Sequence, residues 1–114
     1  PDLRWSGPCR DGAANGRGVL RAYAGGRVVR LFYGRLQAGR LELGAVELDG
    51  GYAAGRFDDQ GRVVSDGERN TLILAFGEAS AAAREMAERF RGQGNAASAR
   101  FYDDRARQLA LQLD

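Results

Sequence analysis

The side chains that could carry out chemistry in this chain lack the partners that catalysis needs. The sequence contains no histidine and no lysine, which are the usual general base near neutral pH and a usual activator of a serine nucleophile. Cys9 therefore has no histidine partner. Carboxylates are adjacent at Asp58-Asp59 and Asp103-Asp104, but neighbouring residues point to different sides of a strand or helix. The sequence predicts no catalytic residue, no metal site and no cofactor.

Arginine supplies all 17 basic side chains, and its distribution is uneven. Residues 1–40 carry eight arginines against Asp2 and Asp11, a balance of +6, whereas residues 41–70 carry three against seven acids, a balance of −4. A GC-rich genome is the simpler explanation for the lack of lysine. Guanidinium groups nevertheless match phosphate oxygens, so a shared face would attract phospholipid or nucleic acid. The residues that would form such a basic patch are Arg17, Arg21, Arg27, Arg30 and Arg35.

Alternation along residues 28–35 assigns the side chains of a predicted strand to two faces. The set expected to face the core is Val29, Leu31, Tyr33 and Arg35. This places Arg30 and Phe32 together on the open face, an aromatic ring beside a cation. The alternative is that Phe32 lies beneath the C-terminal helices. Trp5, Tyr23 and Tyr52 could likewise either pack in the core or contact a partner. The candidate binding residues are Trp5, Arg21, Tyr23, Arg30, Phe32 and Tyr52.

Glycines recur in a pattern that divides the first half of the chain into short hairpins. The first unit is Trp5-x-Gly7-x-Cys9-x-x-Gly12-x-x-x-Gly16-x-Gly18. Weaker copies follow, namely Tyr33-Gly34-x-Leu36-x-x-Gly39-x-Leu41 and Tyr52-x-x-Gly55-x-Phe57-x-x-x-Gly61. Gly12, Gly39 and Gly61 lie 27 and 22 residues apart, a period typical of one supersecondary unit per repeat. Strand-length apolar runs lie between these glycines, so sequential antiparallel strands are predicted.

These residues resemble the MORN repeat, which has the pattern aromatic-x-Gly-x-(Trp/Phe)-x-x-Gly-x-x-x-Gly-x-Gly. The first copy matches best, with Cys9 in the place of the second aromatic residue, and the resemblance covers about residues 4–62. In the second copy Leu36 replaces an aromatic residue, and in the third the spacing is longer by one residue. The resemblance implies a β-hairpin meander that acts as a non-catalytic scaffold for proteins or membrane phospholipids.

The composition changes after residue 67. Residues 71–76 are apolar and rich in strand-forming types, so they predict a final buried strand. From about residue 78 the apolar period becomes helical, with Ala79, Ala82, Met86 and Phe90 on one face as far as residue 91. A second helix is predicted from near Asn95. We expect both amphipathic helices to fold over one face or the open end of the sheet.

The expected architecture is a single α+β domain over residues 1–114, with a glycine-rich β meander at 1–77 and a helical segment at 78–114. No run of about 18 apolar residues predicts a membrane span. The chain opens at Pro1 without Met, which suggests a processed product. A single cysteine fits either a reducing or an oxidising compartment, and the lack of other thiols favours an exported protein, periplasmic or envelope-associated.

Two functions from different classes fit these observations. The first is a non-catalytic interaction module or scaffold whose meander binds a protein partner, in a setting such as a bacterial envelope assembly. The second is an anion-binding module that uses the N-terminal arginines against phospholipid, with nucleic acid the less favoured ligand. Homodimerisation through an unpaired end strand is compatible with both, because a meander has two edges.

Overall fold

A computed structural model describes residues 2–64 and 68–113 and has the predicted α+β class. Six strands form one antiparallel sheet in the order β1-β4-β5-β6-β7-β8, and β2 and β3 form a small separate hairpin. Two helices follow and pack on the large sheet. The strands are β1 (Asp2–Ser6), β2 (Cys9–Arg10), β3 (Ala13–Ala14), β4 (Gly16–Ala24), β5 (Arg27–Gln37), β6 (Arg40–Leu48), β7 (Gly51–Phe57) and β8 (Val63–Val64). The helices are α1 (Arg69–Gly92) and α2 (Ala96–Ala110).

Tight turns connect the long strands as the glycine pattern predicts. Ala38 and Gly39, between β5 and β6, have φ values of 50° and 80°, the backbone geometry of a type I′ hairpin turn. Asp11 and Gly12 have the same geometry, with φ values of 52° and 80°. Such turns match the natural twist of the strands and therefore favour pairing of sequence neighbours. Ala38 is the exception in composition, because an alanine rarely adopts positive φ.

A row of glycines crosses four neighbouring strands in register. Gly18 is opposite Gly34, Gly34 is opposite Gly44, and Gly44 is opposite Gly55. Aromatic rings cover part of this row: a Cβ at Gly18 would lie 2.8 Å from Trp5, and a Cβ at Gly44 would lie 2.9 Å from Phe32. The missing side chains thus create the space in which Trp5 and Phe32 pack.

In β5 the ring that lies against the glycine row, as Trp5 does, is that of Phe32 and not that of Tyr33. Both Trp5 and Phe32 stand two residues before a glycine and lie against the glycine row. Tyr33 points the other way, into the core beneath the helices. Phe32 and Tyr33 are adjacent aromatics, and only their side-chain direction, which the glycine spacing does not give, distinguishes them.

The large sheet has two different faces. The inner face packs against the helices, and its buried strand residues include Val19, Leu31, Tyr33 and Ala45. The outer face carries the glycine row and a smaller buried cluster of Phe32, Leu36 and Val46. Small side chains make up most of the helical side of the inner core, including Ala75, Ala79, Ala82, Ala83 and Ala87. These alanines fit the close contact of α1 with the sheet.

The prediction of a strand at residues 71–76 is wrong, because these residues lie within α1. Ala75, Phe76 and Ala79 are buried, whereas Ile73 and Leu74 are 45% and 53% exposed. This is the pattern of one helical face packed against a sheet, and tertiary packing has overridden the strand preference of the β-branched residues. The second helix begins where predicted, since Asn95 caps α2 by accepting a hydrogen bond from the Ser98 amide at 3.1 Å.

Candidate interaction surface

The six candidate binding residues do not share a face. Trp5, Arg30 and Phe32 belong to the outer side of the sheet by their alternation and cross-strand partners. Arg21, Tyr23 and Tyr52 belong to the inner side, which the helices cover in part. A single contact surface made from all six is therefore excluded by the strand register.

Two inner arginines of the basic patch, Arg17 and Arg35, are already paired with acids of α1. Arg17 contacts Glu78 and Glu85 at 3.0 Å each, and Arg35 contacts Glu78 at 3.2 Å. The hydrogen bond to Glu85 raises the pKa of Arg17 above its usual value, and the charge of Glu78 adds to this effect. Arg17 and Arg35 are cross-strand neighbours, so Glu78 bridges two cations that would otherwise repel each other.

Arg21 is half-buried. One of its terminal nitrogens donates to the Ser6 hydroxyl at 3.1 Å, and its Nε is buried without a hydrogen-bond partner among the described residues. Arg27 and Arg30 are exposed, and neither forms an ion pair within the described part of the chain. The five arginines of the predicted patch are therefore separated: Arg17 and Arg35 serve the helix–sheet contact, while Arg27 and Arg30 lie on the tip of the β4–β5 hairpin.

A polar cluster joins α2 to the centre of the sheet. The Tyr33 hydroxyl donates to Glu47 at 2.9 Å, and Arg105 Nε donates to the same carboxylate at 2.8 Å. Burial, followed by the nearby Glu47 charge, raises the pKa of Tyr33 far above its ordinary value. Tyr33 consequently stays protonated at neutral pH and acts as a hydrogen-bond donor to Glu47. Tyr52 extends this contact, since its hydroxyl lies 2.9 Å from Gln108 of α2.

Phe32 is available neither as an exposed contact nor as packing beneath the helices. It is 3% exposed and lies in the outer cluster, with its ring 5.3 Å from that of Phe57 in an edge-on arrangement. Trp5 packs beside this cluster and donates its indole N–H to the Pro8 carbonyl at 2.7 Å. The predicted outer direction of Phe32 is thus confirmed, but Phe57 and Val46 cover the ring. Phe32 therefore neither contacts a partner from the open face nor packs beneath the helices, and it belongs instead to the buried cluster on the outer face.

A cleft lies between β5 and β6. Their ladder runs from Gln37 and Arg40 to Phe32 and Val46, and it ends there. β5 continues back to Arg27 in contact with β4, and β6 continues to Leu48 in contact with β7, so the two strands diverge. We call the resulting space of about 370 Å³ the β5–β6 cleft; it is lined by Val28, Val29, Arg30, Leu31, Glu47, Leu48 and Asp49.

Exposed apolar side chains surround this cleft. Val28, Val29 and Leu48 are 46%, 59% and 48% exposed, and Val29 lies at an irregularity where β4 and β5 change register. Arg30, Glu47 and Asp49 are the charged residues of the lining. Glu47 is paired with Arg105, whereas neither Arg30 nor Asp49 has an ion-pair partner among residues 2–64 and 68–113. Sequence reasoning identified only Arg30 here. Alternation placed Val29 in the core, and the register irregularity moved it to the surface.

Other kinds of site find no support in the described residues. No group of three or more His, Cys, Asp or Glu side chains in that part of the chain is placed to hold a metal ion. Neither α1 nor α2 has the length and apolar character of a membrane-spanning helix. Comparison with protein-family models, with curated proteins and with solved structures finds no match to this chain. The likeness to MORN repeats therefore remains a prediction from the residues.

Proposed function

We propose that this chain is a non-catalytic interaction module that binds an extended segment of a protein partner in the β5–β6 cleft. The observation that carries the proposal is the early end of the β5–β6 ladder at Phe32 and Val46. Beyond it, the edges of β5 and β6 face a common space, and among the described residues β5 pairs there only with β4 and β6 only with β7. Exposed strand edges bind extended peptides through main-chain hydrogen bonds, a mode that needs no catalytic group.

The rim of the cleft supports the same occupant. Val28, Val29 and Leu48 offer apolar contact next to strand residues beyond the end of the β5–β6 ladder, a combination that suits the addition of a strand. Arg30 would pair with an acidic side chain of the partner, and Asp49 with a basic one. The preferred partner is thus an extended segment with apolar side chains towards the rim and at least one acid near Arg30.

Arg27 and Arg30 favour a second candidate function, the binding of an anionic lipid surface. Both lie near the tip of the β4–β5 hairpin, and neither forms an ion pair among the described residues. Two arginines make a small electrostatic footprint, because Arg17 and Arg35 already contact Glu78 and Glu85. Binding to an anionic lipid surface would weaken steeply as the salt concentration rises, whereas binding by strand addition would depend only modestly on the salt concentration.

The test is affinity capture from the source organism with four baits, each washed at low and high salt. The baits are the wild type, the cleft variant Val29→Glu/Leu48→Glu, the helix-surface control Leu74→Glu and the arginine variant Arg27→Glu/Arg30→Glu. Leu74 is a matched control because it is 53% exposed but lies on α1. We expect a protein that survives high salt, is retained by Leu74→Glu and is lost with the cleft variant.

Hydrogen exchange then locates the contact. Binding of the captured protein should slow exchange of backbone amides in residues 27–31 and at Glu47 and Leu48. Equal retention by the cleft variant, or protection confined to other strands, would refute the cleft as the binding site. The second function would be established instead if the captured ligand is a lipid, if high salt removes it, and if the variant Arg27→Glu/Arg30→Glu does not bind it.

A further inference from the structure

The free edge of the sheet at β1 carries a sequence that is complementary to itself. β1 is at one end of the strand order and pairs only with β4 within the described residues. Asp2, Leu3 and Arg4 are all exposed. We propose that two copies of the chain associate through β1, antiparallel and in register about Leu3. This inference is independent of the proposed function, because β4 lies between the free edge of β1 and the β5–β6 cleft.

The register follows from the order of the charges. In an antiparallel pair related by a two-fold axis at Leu3, each Asp2 lies opposite Arg4 of the second copy, and Leu3 lies opposite Leu3. Two cross-strand ion pairs and one apolar pair therefore form from three consecutive residues. A two-fold axis at Arg4 would place two arginines opposite each other, which is unfavourable.

The register about Leu3 also brings Asp2 of the second copy to Arg4 and Arg21, a pair of arginines without an acidic partner among the described residues. Arg4 is directly opposite Arg21 across β1 and β4, just as Arg17 is opposite Arg35 across β4 and β5. Glu78 bridges the second pair, but neither Arg4 nor Arg21 has an ion pair among the described residues. Arg4 instead lies over the Tyr23 ring at 5.3 Å. In the dimer, Asp2 of the second copy would occupy the position next to Arg4 in this row.

Leu3 gives an apolar reason for the same arrangement. It is 64% exposed, the most exposed of the large apolar side chains, and it lies on the outer face opposite Ala22. Pairing about Leu3 brings two such side chains together and continues the outer face from one copy to the other. Because a five-residue strand pair buries far less than the ~1,000 Å² of a typical stable interface, we expect a weak dimer, with Kd on the order of 10 μM to 1 mM.

A charge exchange tests the register by sedimentation equilibrium from about 10 μM to about 1 mM, the concentration range that this Kd requires. Asp2→Arg and Arg4→Asp should each weaken association by at least about tenfold, because each makes two like-charged pairs per dimer. The double variant Asp2→Arg/Arg4→Asp restores opposite charges and should return Kd to within about threefold of the wild type. Far-ultraviolet circular dichroism of each variant checks that the fold is kept.

A crosslink provides a second readout. In a Cys9→Ser background, Leu3→Cys should form a disulfide-linked dimer under mild oxidation, because directly opposed Cα atoms in an antiparallel pair lie about 4.5–5.5 Å apart. Leu48→Cys in the same background is the control, since Leu48 is also exposed on the outer face but lies on β6. A wild type that remains monomeric at the highest concentration, a double variant no better than the single ones, or equal crosslinking of both cysteines would overturn the proposal.

Discussion

Replacing Gly44 with alanine is the sharpest test of the glycine row. Gly44 has an ordinary strand backbone, so the substitution tests space and not conformational strain. An added Cβ would overlap the Tyr33 carbonyl oxygen and lie 2.9 Å from both Gly34 Cα and the Phe32 ring. Two of these three contacts are with the backbone of β5, which cannot rotate away. We expect a loss of about 2–3 kcal/mol in the free energy of unfolding, the upper part of the range of about 1–3 kcal/mol for overpacked cores.

For a chain of 114 residues this loss corresponds to a Tm about 10 °C lower, taking about 4 °C per kcal/mol. Thermal and urea unfolding followed by circular dichroism would measure both quantities. The control is Gly77→Ala on α1, where an added Cβ meets nothing within 4 Å and helix propensity favours alanine by about 1 kcal/mol. The two substitutions should therefore differ in sign. A change within about 0.5 kcal/mol for Gly44→Ala would refute the steric account of the row.

Three further substitutions test the turns and the polar cluster. Ala38→Gly should raise the free energy of unfolding by about 1 kcal/mol in urea titrations, because alanine is strained at a φ of 50°; no gain would contradict the turn geometry. Glu47→Ala should lower it by about 2–3 kcal/mol, since the Tyr33 hydroxyl and Arg105 lose their common acceptor, and an unchanged stability would show that the cluster is not structural. The pKa of the Tyr33 hydroxyl is higher in the folded protein than its value of about 10 in the unfolded chain. The stability that depends on protonated Tyr33 is therefore complete below about pH 10, and it is lost as the pH rises further, because the unfolded chain loses this proton first. Tyr33→Phe should therefore flatten the decline in stability above about pH 10, measured by urea unfolding across that range, although Tyr52 and Tyr102 also have raised pKa values and contribute.

The sequence contains enough local information to predict the meander but not the end of it. The geometry of a turn such as Ala38-Gly39 depends on residues that are neighbours in the sequence. The spacing of the glycines was therefore enough to identify the hairpins. Residues 71–76 were more ambiguous, because six apolar residues in a row fit a buried strand and a buried helical turn equally well. The decisive spacing was present in Leu72, Ala75, Phe76 and Ala79, which continue the helical period that was recognised only from residue 78.

The candidate site depends on contacts between distant residues, which explains why prediction of it was partial. Alternation correctly gave Phe32 its outer direction, but its cover is Phe57 on β7, two strands away in the sheet. The arginines could be counted from the sequence, yet Arg17 contacts acids that lie 61 and 68 residues further along the chain. The β5–β6 cleft exists because a ladder ends before its strands do, and no local pattern marks that point.

The alignment of Gly18, Gly34, Gly44 and Gly55 also has a mechanical consequence. Strands bend most easily where glycine leaves one face without Cβ atoms. Because the four positions lie side by side, we expect the sheet to bend most easily along one line that runs across the strands. Each further hairpin with the same spacing would lengthen this line by its own strands.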